Sequence, residues 1–138
     1  MRLTLIIATA LLLISAPARA ADRACVTGEY TIVETRASMR IVFVPPSCRN
    51  LEAMAALGNK LRNDFAAEQI VFVLIFDDMR AAELWDKMLD AAGSLGARED
   101  RFYDKHRIGS YGKNNHSAFH QYIITLQGLD GPQHEINY

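Results

Sequence analysis

The sequence predicts a single α+β domain in the order β-β-α-β-α-β-β-β, with a central sheet that ends in an antiparallel meander and two helices packed on it. Three observations support this class. Two early segments are rich in β-branched residues. Two later segments repeat apolar residues at helical spacing. The last third of the 138 residues alternates polar and apolar residues between turn-forming breaks.

Residues 28–36 (GEYTIVETR) and 39–44 (MRIVFV) predict the first two strands. Ala37 and Ser38 between them suit a tight turn, so we expect a hairpin. Pro45 and Pro46 stop the second strand because proline cannot donate to a sheet.

The first predicted helix follows, with Ser47 or Asn50 as its N-cap. Its apolar residues recur at three- and four-residue steps and form one stripe: Leu51, Met54, Leu57 or Gly58, Leu61 and Phe65. The next segment, 70–76 (IVFVLIF), has no polar residue, which is typical of a strand covered on both faces.

Asp77 and Asp78 end that strand, and residues 79–91 predict the second helix. Its inward positions are Leu84, Met88 and Ala91, with Trp85 at the edge of the core. Gly93 and Gly96 are expected to end the helix. Three strands are then predicted at 101–111, 117–127 and 133–138, separated by turns at 112–115 and 128–132.

The first 20 residues have the features of a signal peptide. A short basic start precedes an apolar run too short to span a bilayer, and Ala18-Arg19-Ala20 matches a cleavage site. We therefore expect a periplasmic or secreted domain of residues 21–138 that begins at Ala21 or Asp22. The alternative is an uncleaved anchor. A lipoprotein is excluded because Asp22-Arg23-Ala24 precedes Cys25.

Without residues 1–20 the chain has 13 basic and 16 acidic residues, a net charge of −3. This balance argues against nucleic-acid binding and against electrostatic docking on an anionic membrane. No later segment is long enough to cross a membrane. Cys25 and Cys48 are predicted to form a disulfide, because two cysteines in an oxidising compartment most simply pair and the C-x-x-C spacing of redox pairs is absent.

Three of the four histidines fall in one stretch, DKHRIGSYGKNNHSAFHQY, from Asp104 to Tyr122. His106, His116 and His120 are the residues that could ligate zinc, but on a strand His116 and His120 would lie about 13 Å apart. His106 and His120 are the candidates for a metal-free acid–base pair, with Lys105, Arg107 or Lys113 steadying a phosphate.

Asp77 and Asp78 follow the most apolar strand, where ligands bind in many α/β proteins. The simpler interpretation is that Asp78 caps the next helix and Asp77 is solvated. The sequence contains neither a G-x-S-x-G nucleophile motif nor a glycine-rich phosphate loop, and it predicts no cofactor.

The stretch from Asp77 to Tyr138 resembles small exported bacterial proteins of uncharacterised function. It includes DDMRAAELWDKM and the histidine-rich segment quoted above. The resemblance implies no catalytic residue, cofactor or substrate.

The leading hypothesis is an exported, non-enzymatic domain that binds another protein or an envelope component. Its predicted binding residues are mostly tyrosine, histidine and asparagine, which make adaptable contacts: Tyr103, His106, Tyr111, Asn114, Asn115, His116, His120 and Tyr122. The alternative is a small hydrolase or nuclease-like enzyme, metal-dependent or not, that uses His106, His116 and His120.

Overall fold

A computed structural model describes residues 16–90 and 95–138. The strands are β1 (Thr31–Arg36), β2 (Met39–Phe43), β3 (Ile70–Phe76), β4 (Arg107–Asn114), β5 (Phe119–Ile124) and β6 (His134–Asn137). The helices are α1 (Ala16–Thr27), α2 (Leu51–Asp64), α3 (Met79–Asp90) and α4 (Ala97–His106), with a short 3₁₀ turn at Pro46–Cys48 before α2.

The six strands form one sheet in the order β1-β2-β3-β4-β5-β6. The β2–β3 pair is parallel and every other pair is antiparallel. The predicted α+β class, the opening hairpin and the closing antiparallel meander are thereby confirmed. Ala37 takes a left-handed conformation (φ 51°) in the hairpin turn.

β3 is covered on both faces, as its sequence predicts. Val71, Val73 and Ile75 face α2, and Leu74 and Phe76 face the opposite cluster. We call the α2 side the closed face and the α3 side the open face. Burial of these side chains on both sides supplies the main driving force for folding.

Helix α2 begins where the sequence predicts, because the Asn50 side chain accepts a hydrogen bond from the Ala53 N–H at 2.9 Å. The predicted disulfide joins Cys25 in α1 to Cys48 in the 3₁₀ turn. It holds α1 against α2, and Gly28 (φ 71°) lets the chain leave α1 there. A Cβ at Gly28 would lie 2.5 Å from the carbonyl oxygen of Ala56.

One predicted strand is wrong in its first half, because residues 101–106 belong to α4. The strand itself runs from 107 to 114, so the turn predicted at 112–115 lies instead at 115–118. Gly96, predicted to end the preceding helix, is the N-cap of α4, and Glu99 accepts a hydrogen bond from its N–H. Acidic residues in the first turn and basic residues in the last complement the helix dipole. The cap and these charges favour a helix in this segment, although its residues alternate between polar and apolar.

Several predictions fall on residues that the structure does not describe. The helix stop at Gly93, the inward position of Ala91 and most of the predicted signal peptide lie outside the described residues. The division of the chain into 1–20 and 21–138 therefore stays a prediction. No helix among residues 16–90 and 95–138 has the length and apolar character needed to cross a membrane.

Candidate functional site

A cleft of about 190 Å³ runs along β4 on the open face. Ser110 and Gly112 form its floor. In the sheet register, Leu74 of β3 and Ile123 of β5 flank Ser110, while Phe72 and Gln121 flank Gly112. The cleft exists because two small residues lie between larger ones on both neighbouring strands.

An aromatic pair closes one end of the cleft. The ring centroids of Phe72 and Phe119 are 6.4 Å apart. A Cβ at Gly112 would lie 2.6 Å from the Phe119 ring and 3.2 Å from the Phe72 ring, so glycine allows both rings to lie over the sheet. Phe119 is 39% exposed, so an apolar ring borders the cleft at the protein surface.

Arg107 lies at the other end of the cleft. Its Nε–H is buried and has no acceptor among the described residues. No described carboxylate lies within 4.0 Å of its guanidinium. Four residues earlier, on α4, the buried hydroxyl of Tyr103 also lacks a protein partner. Burial raises the pKa of Tyr103, and the nearby positive charge of Arg107 opposes that rise.

The residues predicted to form one binding surface occupy different places. The described turn between β4 and β5 exposes Asn115 and His116 and half-buries Asn114, close to Phe119. Tyr111 and Tyr122 are buried on the closed face, whereas Tyr103, on α4, is buried in the cluster on the open side. His106 and His120 are both half-buried. His106 ends α4, and His120 lies on β5, where it pairs with Lys113 of β4.

His120 lies in an aromatic environment on the closed face. Its Nε2 is 2.8 Å from the hydroxyl of Tyr111, and its ring centroid is 4.8 Å from that of Tyr138. Burial, together with the positive charges of Arg62 and Lys113, lowers the pKa of His120. Burial also raises the pKa of Tyr111 to about 12. We infer that the tyrosine donates to a neutral imidazole.

Asp77, Arg49 and His106 form a cluster that the sequence did not reveal. Asp77 is only 3% exposed, so the prediction that it is solvated is wrong. Its two carboxylate oxygens accept from Arg49 Nη1 at 2.9 Å and contact His106 Nδ1 at 2.8 Å. Asp78 caps α3 as predicted, by accepting from the Arg80 N–H.

Arg49 also ties this cluster to the surrounding chain. It donates to the carbonyl oxygens of Leu126 and Lys105, and so links the start of α2 to the end of α4 and the segment after β5. The proximity of Asp77 to the end of β3 was the only available signal, because nothing local points to Arg49 or to the C-terminus of α4.

The three histidines of the proposed metal or acid–base site are separated. His106 immediately precedes β4, His120 is paired near the other end of that strand, and His116 lies in the exposed turn beyond it. Lys113, the partner of His120, lies seven positions after His106, which corresponds to about 23 Å along a strand. Residues 16–90 and 95–138 contain no group of three His, Cys, Asp or Glu side chains placed to hold a metal ion.

Comparisons with known proteins add no family assignment. No protein-family model, no curated protein and no solved structure matches the chain.

Proposed function

We propose that this protein is an exported, non-enzymatic binding domain that contacts a partner protein through the open face of its sheet. The observation that carries the proposal is the cleft along β4, bordered by the half-exposed Phe119. Apolar residues grouped on an accessible surface with small residues between them are typical of protein interaction sites.

Export is supported by the signal-like N-terminus and by the disulfide. The bond between Cys25 and Cys48 suits an oxidising compartment, where such bonds form and persist. Mass spectrometry of the protein recovered from the envelope or medium is expected to find a chain that begins at Ala21 or Asp22. A protein that keeps residue 1 in those fractions would contradict cleavage.

The β4–β5 turn extends the proposed surface beyond the cleft. Asn115 and His116 are exposed there, and both belong to the predicted binding set. The Asn115 amide donates to Gln69 Oε1 at 3.2 Å, and the His116 N–H donates to Asn114 Oδ1 at 3.0 Å. A turn held in this way presents polar groups beside an apolar cleft, as at the rim of many interfaces.

Site-specific photocrosslinking in producing cells tests the partner. A photoreactive amino acid at position 119 is expected to give a discrete protein adduct. The same group at position 59, an exposed site on α2 at the closed face, is the matched control. No adduct at 119, or the same adducts at both positions, would reject the open face as the binding surface.

One observation favours the hydrolase alternative. Asp77, which is ion-paired with Arg49, orients the His106 imidazole through Nδ1, an arrangement seen in acid–base catalysis. No described serine, threonine or cysteine side chain is hydrogen-bonded to Nε2. The test is hydrolysis of a nitrophenyl ester and a nitrophenyl phosphodiester, with and without chelator. Activity lost in His106→Ala and kept in His116→Ala would support it.

A further inference from the structure

Arg107 is a positive charge that has no described carboxylate within 4.0 Å of its guanidinium. The other internal cation of β4, Lys113, donates to the carbonyl oxygens of Phe65 at 3.2 Å and Ala66 at 2.7 Å. The buried Nε–H of Arg107 lacks an acceptor among the described residues. Buried polar groups without partners are rare in native proteins, so this one calls for an explanation.

The Tyr103 hydroxyl lies close to Arg107, whose positive charge opposes the rise in the pKa of Tyr103. Tyr103 lies one helical turn earlier, and its hydroxyl is also buried without a protein acceptor. Tyr103 is only 4% exposed and does not line the cleft, so Arg107 is the group at this end that a ligand can reach. A carboxylate matches a guanidinium especially well, because its two oxygens fit the planar fork of N–H donors.

The rest of the cleft is apolar and of limited size. Its walls are Phe72, Leu74 and Ile123, and its volume is about 190 Å³. An apolar cavity of about 150 Å³ holds one benzene molecule. The cleft therefore has room for one large apolar side chain, and Arg107 lies three positions along β4 from the Ser110 floor, about 10 Å away.

We propose that the cleft receives a segment of the partner protein in which an apolar side chain stands beside an acidic residue. The apolar side chain fills the space over Ser110 and Gly112, and the carboxylate pairs with Arg107. This inference rests on the proposed binding function and adds the chemistry of the partner. Arg107 then gains a carboxylate in direct contact with its guanidinium in the complex.

Titration of the ¹⁵N-labelled protein with three blocked tetrapeptides tests the inference by NMR. The probes are acetyl-Ala-Phe-Glu-Ala-amide and its Gln and Lys counterparts, at low salt and at 0.5 M salt. The Glu peptide is expected to shift the Ser110, Gly112 and Ile123 amides. Its affinity should exceed that of the Gln peptide by about tenfold at low salt, as for a charge-assisted pair. High salt should reduce this preference.

Three variants distinguish the contribution of the Arg107 charge to peptide affinity from the contribution of the apolar cleft. Arg107→Gln should lower the affinity for the Glu peptide to that for the Gln peptide. Arg101→Gln, at an exposed position of α4, makes the same charge change away from the cleft and should leave the preference intact. Ser110→Phe fills the floor and should abolish binding of all three peptides. The ¹⁵N spectrum of each variant verifies its fold.

The outcomes distinguish this inference from the proposed function. Equal affinities for the Glu and Gln peptides at the cleft, or an unchanged preference in Arg107→Gln, would reject the acidic segment and leave the open face as a binding surface. Absence of any shift at the cleft amides with all three peptides at millimolar concentration would count against both. Charge-dependent binding that is lost only in Arg107→Gln and Ser110→Phe supports the proposal.

Discussion

The two faces of the sheet treat their buried polar groups differently. On the closed face, the Tyr122 hydroxyl donates to the Met54 carbonyl at 2.7 Å, and Lys113 donates to the end of α2. On the open face, the buried Nε–H of Arg107 and hydroxyl of Tyr103 have no acceptor in the described part of the chain.

This difference supports the proposal that the open face binds a partner, whereas the closed face serves stability. Satisfied buried polar groups fix one arrangement of the core, whereas unsatisfied ones cost free energy until something supplies their hydrogen bonds. Trp85, whose buried Nε1–H is likewise without a described acceptor, packs on the open side. Proteins commonly accept lower stability at functional sites.

The largest expected contrast comes from removing an apolar side chain on each face. Leu57→Ala, on α2, should lower the free energy of unfolding by about 2–5 kcal/mol, because it leaves a cavity in the closed core. Phe119→Ala, at the rim of the cleft, should cost about 1 kcal/mol or less. Chemical denaturation measures both. Equal losses would show that the open face is as important to stability as the closed one.

The two internal cations of β4 give the next contrast. Lys113→Met should cost about 1–3 kcal/mol, because the carbonyl groups at the end of α2 lose a charged donor. Arg107→Met keeps an apolar stem and removes an unpaired charge, so stability should stay within about 0.5 kcal/mol or rise. Thermal and urea unfolding check the pair. A large loss in Arg107→Met would assign that residue a structural role.

Two tyrosine substitutions isolate single hydroxyl groups. Tyr122→Phe removes the hydrogen bond to the Met54 carbonyl and should cost about 1 kcal/mol. Tyr103→Phe removes a hydroxyl with no described acceptor and should change stability by about 0.5 kcal/mol or less. Both side chains are buried, so urea unfolding compares them directly. A Tyr103→Phe loss as large as that of Tyr122→Phe would mean that the Tyr103 hydroxyl is satisfied in solution.

Sequence patterns predict those elements of the fold whose cause lies within a few neighbouring residues. The apolar run of β3, the Asn50 cap and the hairpin turn at Ala37 each carry their cause within a few residues. The sequence does not reveal helix α4 at 101–106, because its cap, Gly96, also suits the end of a preceding helix. A glycine between two helices is ambiguous when only composition and spacing are read.

The candidate site depends on contacts between distant segments, which a single sequence does not reveal. Arg49 and Asp77 are 28 positions apart, and His106 is a further 29 beyond Asp77. The cleft has a weak local signature in Ser110 and Gly112, two small residues at alternate positions of one strand. They form a cleft only because larger residues such as Phe72 and Gln121 lie on the neighbouring strands, and the sheet register is what places those residues there.

The smallest expected effect is a pH dependence that belongs to the closed face. Burial lowers the pKa of His120 in the folded state from 6.5, so the unfolded chain binds the proton more readily. The stabilisation is therefore complete above pH 6.5 and is lost as the pH falls through the folded pKa.

His120→Gln keeps an acceptor for the Tyr111 hydroxyl and should flatten this fall between pH 7.5 and 5, whereas His116→Gln, in the exposed turn, should not. Urea unfolding of the wild type and of each variant across that range gives the free energy of unfolding at each pH. Subtracting the wild-type curve from a variant's curve removes the contribution of the carboxylates, which the proteins share. Identical curves for His120→Gln and the wild type would show that His120 titrates as it does in the unfolded chain.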